Sequence, residues 1–313
     1  MRFCGFATAL SAALTACAVT QPALAPQPLI GSGRGVDHVT LLTQDVAAAA
    51  KRFADDFGFT VGPTRKLSFG FESAVIYFAD LTYIELYAIH DRKVVGESTE
   101  AFALEAPEGL TWVTLHVDSA RRAAEFLRQL GKPVFGPDSI PESEENWRFK
   151  LTGPQQAFLP GGRIYFIEYN EAVRARFRTE NRAMVQSREI HPNTAQGLRS
   201  IWITVADLTA AAAIYTSAGM ATGPEFELAA LSTQAREIRM RGGTILLALQ
   251  SAGSPSRNAA FTGISIKVGS IDAIRTRVLK RRGLNLEPYA GRYGRSVRIP
   301  ASLGYGTVIE FFQ

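Results

Sequence analysis

A chain of 313 residues that is 46% hydrophobic and 20% charged can bury one large core or two ordinary ones, which excludes a disordered chain. The net charge of +5 comes from arginines spread along the sequence, and the lack of a dense basic run argues against a nucleic-acid partner and reads as solubility. Both cysteines, Cys4 and Cys17, lie in the first seventeen residues, so the body has no thiol for a disulfide, a zinc cluster or a nucleophile.

The N-terminus carries Arg2 and then an apolar run from Phe3 to Leu14, too short for a membrane span and suited to a signal peptide. Leu14, Thr15, Ala16 and Cys17 resemble a bacterial lipobox, which implies a lipid on Cys17. Ala18 rather than Asp follows, favouring the outer membrane of the cell envelope. The alternative is cleavage after Ala25 to a soluble periplasmic form, although Pro26 is a poor residue beyond that bond. Membrane contact is then expected through the lipid anchor only, with Gln21 to Gly35 as a flexible tether.

From Gly35 onwards one pattern recurs. Val36 to Leu42 is a β-branched and apolar run suited to a strand, Asp45 can cap an alanine-rich helix ending at Phe57, Gly58 can stop it, and GFTVGP begins a new strand. Leu110 to Pro137, Leu198 to Pro224 and, more faintly, Gly263 to Pro288 repeat the plan. After the first helix, Phe69 to Phe78 and Leu81 to Ile89 read as strands around a turn at Ala79 and Asp80, which completes a βαβββ module. In the last of these strands Tyr83, Glu85 and Tyr87 share one face, and Ile84, Leu86 and Ala88 the other.

The second module ends in GRIYFIEYN, where sequence alignment sets Glu168 against Glu85. Residues 172–196 are arginine-rich, partly helical between Ala172 and Met184, and read as a connection. The third module ends in GGTILLALQ, with Leu246 at the matching position, and the fourth in VIEFF, with Glu310. The division is a leader and tether over 1–34, a first domain over 35–171, the connection over 172–196 and a degenerate second domain over 197–313. His90 and His191 fall in loops and are assigned to solvent. No P-loop, Rossmann glycine pattern or Ser, His and Asp set can be argued from spacing.

The motifs DHVTL, GFTV, YIELY, GLTWVTLHVD, YFIEY and VIEFF, in this order and spacing, resemble the vicinal oxygen chelate superfamily, which includes glyoxalases, bleomycin-resistance proteins and extradiol dioxygenases. The resemblance implies an α+β fold of four βαβββ modules in two paired-module open β-barrels. In the members of that superfamily that bind a divalent metal, the resemblance implies Mn, Fe(II), Ni or Zn held from the first and last strands of each module, and in the others no cofactor.

Carried over to this sequence, those positions are His38, Glu85 and Glu168, with Glu168 also the candidate catalytic carboxylate, and Trp112, which cannot ligate. His116 would lie roughly 13 Å along its strand from residue 112, so it is a pocket residue rather than a replacement ligand. Tyr83, Tyr87, Trp112 and Phe166 are expected to wall the cavity for a flat or apolar ligand. The competing reading of Glu85 and Glu168 is a structural pair kept ionised by arginines such as Arg148 or Arg163. In the second domain Ser200, Gly263, Leu246 and Glu310 cannot hold a metal together, leaving a scaffold, a homodimer surface or a separate pocket. Two functions stay open: a metal-dependent lyase, isomerase or dioxygenase, and a non-catalytic binder of a small oxygenated or aromatic compound, with an envelope interaction module behind them.

Overall fold

The computed structural model describes residues 29–140, 147–250, 260–282 and 286–313. The signal-peptide expectations and the lipid site at Cys17 fall outside the described residues.

The first module comprises β1 (Gly35–Leu42), α1 (Val46–Asp55), β2 (Arg65–Lys66), β3 (Phe71–Tyr77) and β4 (Tyr83–Ile89), then α2 (Arg92–Gly96) and a 3-10 turn over Ala101–Leu104. The second comprises β5 (Gly109–His116), α3 (Ala120–Gln129), β6 (Val134–Ile140), β7 (Phe149–Pro154) and β8 (Arg163–Tyr169). The helices α4 (Glu171–Glu180) and α5 (Arg182–Glu189) connect it to β9 (Ala195–Val205), α6 (Leu208–Ser217), β10 (Ala221–Leu228), β11 (Thr233–Met240) and β12 (Gly243–Leu249). The fourth module is β13 (Ala260–Val268), α7 (Ile271–Arg282), β14 (Tyr289–Gly291), β15 (Gly294–Ile299) and β16 (Val308–Phe312).

Each module helix starts on a side-chain cap. Asp45, Ser119, Asp207 and Ser270 accept the amide hydrogens of Ala48, Arg122, Ala210 and Ala273, groups that the helix itself leaves without a partner. Gly58, Gly131 and Gly219 follow the first three helices at φ of 77°, 70° and 75°, a left-handed turn that only glycine adopts cheaply. The GFTV stretch departs from expectation: residues 58–64 form no strand, and the second strand of the first module is only Arg65–Lys66. Pro137 and Pro224 lie inside β6 and β10, where the pairing register shifts, because a residue without an N–H cannot continue the ladder.

The modules pair into two curled eight-stranded sheets with orders β2-β3-β4-β1-β5-β8-β7-β6 and β10-β11-β12-β9-β13-β16-β15-β14, the α+β vicinal oxygen chelate fold. In each, two module-first strands meet antiparallel at the centre, β1 against β5 and β9 against β13, and each takes its module's last strand in parallel on the other side. One face of each sheet carries the helices, and a single apolar core runs through both helix-covered faces. Phe53 of α1 stacks near Tyr305, and Phe59 meets Phe311 at 5.9 Å between ring centres. Each such buried ring contributes about 2 kcal/mol, so the two domains stabilise one another. The concave faces carry separate clusters, one around Trp112 and one around Trp202.

Two expectations are corrected by packing. The last residues of the proposed tether are docked: Leu29 and Ile30 are buried, Ser32 donates through N and Oγ to Asp118, and Arg34 N–H donates to His116 Nδ1 at 2.9 Å. A Cβ on Gly31 would lie 2.1 Å from Asp118, so the glycine permits this docking. His191 is buried rather than solvated. Its Nδ1 accepts from Thr60 N–H at 3.0 Å, its Nε2 faces the Tyr77 carbonyl at 2.9 Å, and Phe59 and Phe78 meet it edge-on, which pins the connection to the first domain. His90 is exposed.

Candidate functional site

The concave face of the first domain is laid out by register. Tyr83 pairs with His38, His38 with Thr114, and Thr114 with Tyr165, which makes one row across four strands. The next row is Glu85, Thr40, Trp112 and Arg163. Beyond it, Tyr87, Leu42 and Phe71 join Trp112 in an apolar cluster that α2 and the 3-10 turn cover with Val95, Phe102 and Leu104. Phe71 and Tyr87 lie 5.9 and 5.4 Å from the Trp112 ring and Phe102 5.8 Å, so that end of the face is an aromatic wall.

The polar end depends on a bulge. Val36 pairs with Leu115 and His38 with Thr114, which leaves Asp37 as the extra residue and turns its side chain towards that of His38. Asp37 Oδ1 lies 2.8 Å from His38 Nδ1 and accepts from the Tyr169 hydroxyl at 2.9 Å, while Oδ2 pairs with the Arg34 guanidinium at 2.9 Å. Burial pushes the Asp37 carboxyl up, but its bond to His38, the Arg34 guanidinium and the Tyr169 hydroxyl outweigh burial and hold it below the usual carboxylate range. With Tyr169 donating to Asp37, Tyr83 must donate to Tyr169 across the 3.3 Å between their hydroxyls. Burial, then neighbouring negative charge, pushes both phenols well up, so they act as donors and not as phenolates.

An ionised Asp37 fixes His38 with its proton on Nδ1 and leaves Nε2 on the side of Glu85, whose Oε2 stands 3.9 Å away. The His38 ring stacks on Tyr83 at 4.2 Å. Burial, followed by the charge of the nearby Glu85 carboxylate, raises the Tyr87 phenol well above its usual range. Two buried hydroxyls on these rows, Thr40 Oγ1 and Tyr165 Oη, have no hydrogen-bond partner among the described residues.

The other sequence candidates separate. Glu168 shares the helix-covered face with Ile164 and Phe166, and its carboxylate accepts from Ala120 N–H at 2.8 Å at the start of α3. It therefore stands across the sheet from His38. Phe166 is buried in the helix-side core and does not line the cavity. By register the partner of Glu85 in the second module is Tyr165, since Thr40 faces Glu85 as Thr114 faces Tyr165. His116 lies on the strand face of Trp112, but Arg34 N–H occupies its Nδ1, and its ring stacks near Tyr169 at 5.8 Å on the rim. Among the described ion pairs none joins an arginine to Glu85 or Glu168. Arg163 instead stacks on Phe102 at 4.5 Å, and Arg148 is exposed. Asp37, Arg34, Thr40 and Tyr169 were missed as site residues, although an Asp-His doublet opening an apolar strand was a readable signal.

The glyoxalase-like domain family model matches residues 36–219, more than half of the chain. The chain belongs to the glyoxalase-like domain family. Among solved structures the glyoxalase-like chain is similar to a hypothetical protein from Staphylococcus aureus, with 11% identity, a TM-score of 0.58 and coverage of 88% of this chain and 97% of that one. It is also similar to a catechol 2,3-dioxygenase, with 13% identity, a TM-score of 0.54 and coverage of 90% and 93%. A halotolerant catechol dioxygenase gives 14%, 0.55, 89% and 86%. At these identities the likeness is one of fold. Comparison with curated proteins gives no match.

The donor set of this glyoxalase-like site does not fit the chelate that the superfamily resemblance implies. His38 and Glu85 are two donors, Glu168 stands on the other face, and Trp112 offers none. Among the described residues no group of three or more His, Cys, Asp or Glu side chains could hold a metal ion. The second domain closes the equivalent positions differently. A Cβ on Gly263 would lie 2.6 Å from the Trp202 ring, so this glycine lets the indole cross the sheet face. Trp202 Nε1 donates to Ser200 and Ser265, and Ser265 donates to Glu310 at 2.7 Å. Tyr289 also donates to Glu310, at 2.7 Å. Burial raises the Glu310 carboxyl, opposed by these hydroxyls. The network pairs its own polar groups with one another.

Proposed function

We propose that the concave face of the first domain binds a small aromatic or oxygenated compound without a metal ion, with His38 Nε2 as the acceptor for a ligand proton. The observation that carries this reading is the Asp37 to His38 bond at 2.8 Å, which leaves Nε2 unpaired by Asp37 on a concave face that also carries Tyr83, Tyr87 and Trp112. Of the chemistries that the superfamily resemblance offers, this arrangement supports proton transfer, as in isomerisation, over chelate-dependent dioxygenation. Binding alone, of the bleomycin-resistance kind, needs the same wall and acceptor. The test is tryptophan fluorescence during titration with aromatic compounds. Quenching that is lost in Trp112→Leu supports the reading, and quenching that persists there places the pocket elsewhere.

We further propose an envelope location with lipid on Cys17, supported by the apolar run ending in the Leu14 to Cys17 motif. Cys17→Ser should abolish lipid labelling. Wild-type protein recovered soluble with Met1 attached would overturn the location.

A further inference from the structure

We infer that the ligand of the first-domain cavity presents a primary ammonium group to His38, Glu85 and Thr40. This rests on the reading of that cavity as a small-molecule site and names the chemistry it selects. Three groups able to accept a hydrogen bond lie at neighbouring positions of the concave face there. His38 Nε2 is left on the side of Glu85 because Asp37 holds Nδ1, Glu85 Oε2 stands 3.9 Å from it, and Thr40 neighbours Glu85 in the same row. Thr40 is fully buried, and its Oγ1 has no hydrogen-bond partner among the described residues. A hydroxyl ligand brings one donor to three acceptors, whereas an ammonium brings three.

Charge points the same way. Asp37 is neutralised by Arg34 at 2.9 Å, but among the described residues Glu85 has no lysine or arginine within ion-pair distance. Its side chain is only 13% exposed. Arg65 reaches Tyr77 and Tyr87 with its field, and Arg148 and Arg188 reach Tyr77, yet Arg65 and Arg148 are exposed and screened by water. The rings of Tyr83, Tyr87 and Trp112 make the surroundings of this carboxylate aromatic. A carboxylate among aromatic rings is complementary to an alkylammonium carried on an apolar or aromatic body.

Calorimetric titration of the full chain with 2-phenylethylamine, 2-phenylethanol and 3-phenylpropanoate separates the alternatives, since the three differ chiefly in the charge at one end. The amine should bind at least about tenfold more tightly than the alcohol, and the carboxylate more weakly than either. Glu85→Gln should bring the amine down to the alcohol, and Thr40→Val should weaken the amine alone. Equal or tighter binding of the alcohol or the carboxylate by the wild-type chain overturns the inference and leaves the cavity as an aromatic site. Survival of the amine preference in Glu85→Gln also overturns it. Absence of binding by all three removes the inference and the small-molecule reading together.

Discussion

Asp37 and His38 are adjacent in sequence, yet their side chains meet on one face of β1, carboxylate to Nδ1 at 2.8 Å, because the strand bulges between Val36 and His38. An unbulged strand would send them to opposite faces and leave His38 free to turn.

Removing that carboxylate should cost stability as well as the site. Asp37 is fully buried and serves Arg34, His38 and Tyr169. Asp37→Ala leaves three polar groups without their common partner, and a loss of about 3 kcal/mol in urea unfolding is expected. A loss within the noise of surface substitutions would show that the three find other partners.

The two glutamates aligned from sequence should behave as different residues. Glu168→Ala removes the acceptor for Ala120 N–H and should cost about 1 kcal/mol of stability with ligand quenching unchanged. Glu85→Gln should change ligand affinity with little change in unfolding midpoint. Paired denaturation and fluorescence titrations check both, and the reverse pattern would return Glu168 to the site.

In the second domain, Gly263→Ala places a Cβ 2.6 Å from the Trp202 ring. Overpacking of this kind costs about 1–3 kcal/mol, and Trp202→Leu should relieve only the part due to the ring, since the Cβ would also lie 2.9 Å from the Val308 carbonyl. A double-mutant cycle reads the coupling.

Acid should weaken the fold before carboxylates titrate in bulk. Burial lowers His191, against the Tyr77 carbonyl and Glu189, which raise it, and burial likewise lowers His116. The unfolded chain therefore binds more protons than the folded one as pH falls below about 6.5, and stability drops through that window. Asp37, held low when folded, adds a further loss below about pH 4. Unfolding midpoints at about pH 7.5 and 5.5 measure the first loss, which should shrink in His191→Gln.

The modules were legible because each repeats a β-branched run, a helix cap and a glycine stop, and these act locally. Tyr83, Glu85, Tyr87 and Trp112 were legible as one face because strand alternation needs only correct parity. Glu168 and Phe166 were misplaced for the same reason. Matching YFIEY to YIELY by its glutamate shifts the register by three residues, and an odd shift turns the side chains to the opposite face. Asp37 was hidden by a bulge that depends on pairing with β5. His191 looked like a loop residue because its partners, Thr60 and Tyr77, lie far off in sequence.

The central claim is a ligand site at His38 that works with this chain's own side chains. The most direct measurement is the affinity of an aromatic ligand, read from Trp112 quenching, for chelator-treated protein and for protein supplied in turn with Mn, Fe(II), Ni and Zn. One affinity throughout and no metal-induced rise in melting temperature are expected. Binding that appears only with one of these metals, together with a thermal shift lost in His38→Ala, would contradict that claim.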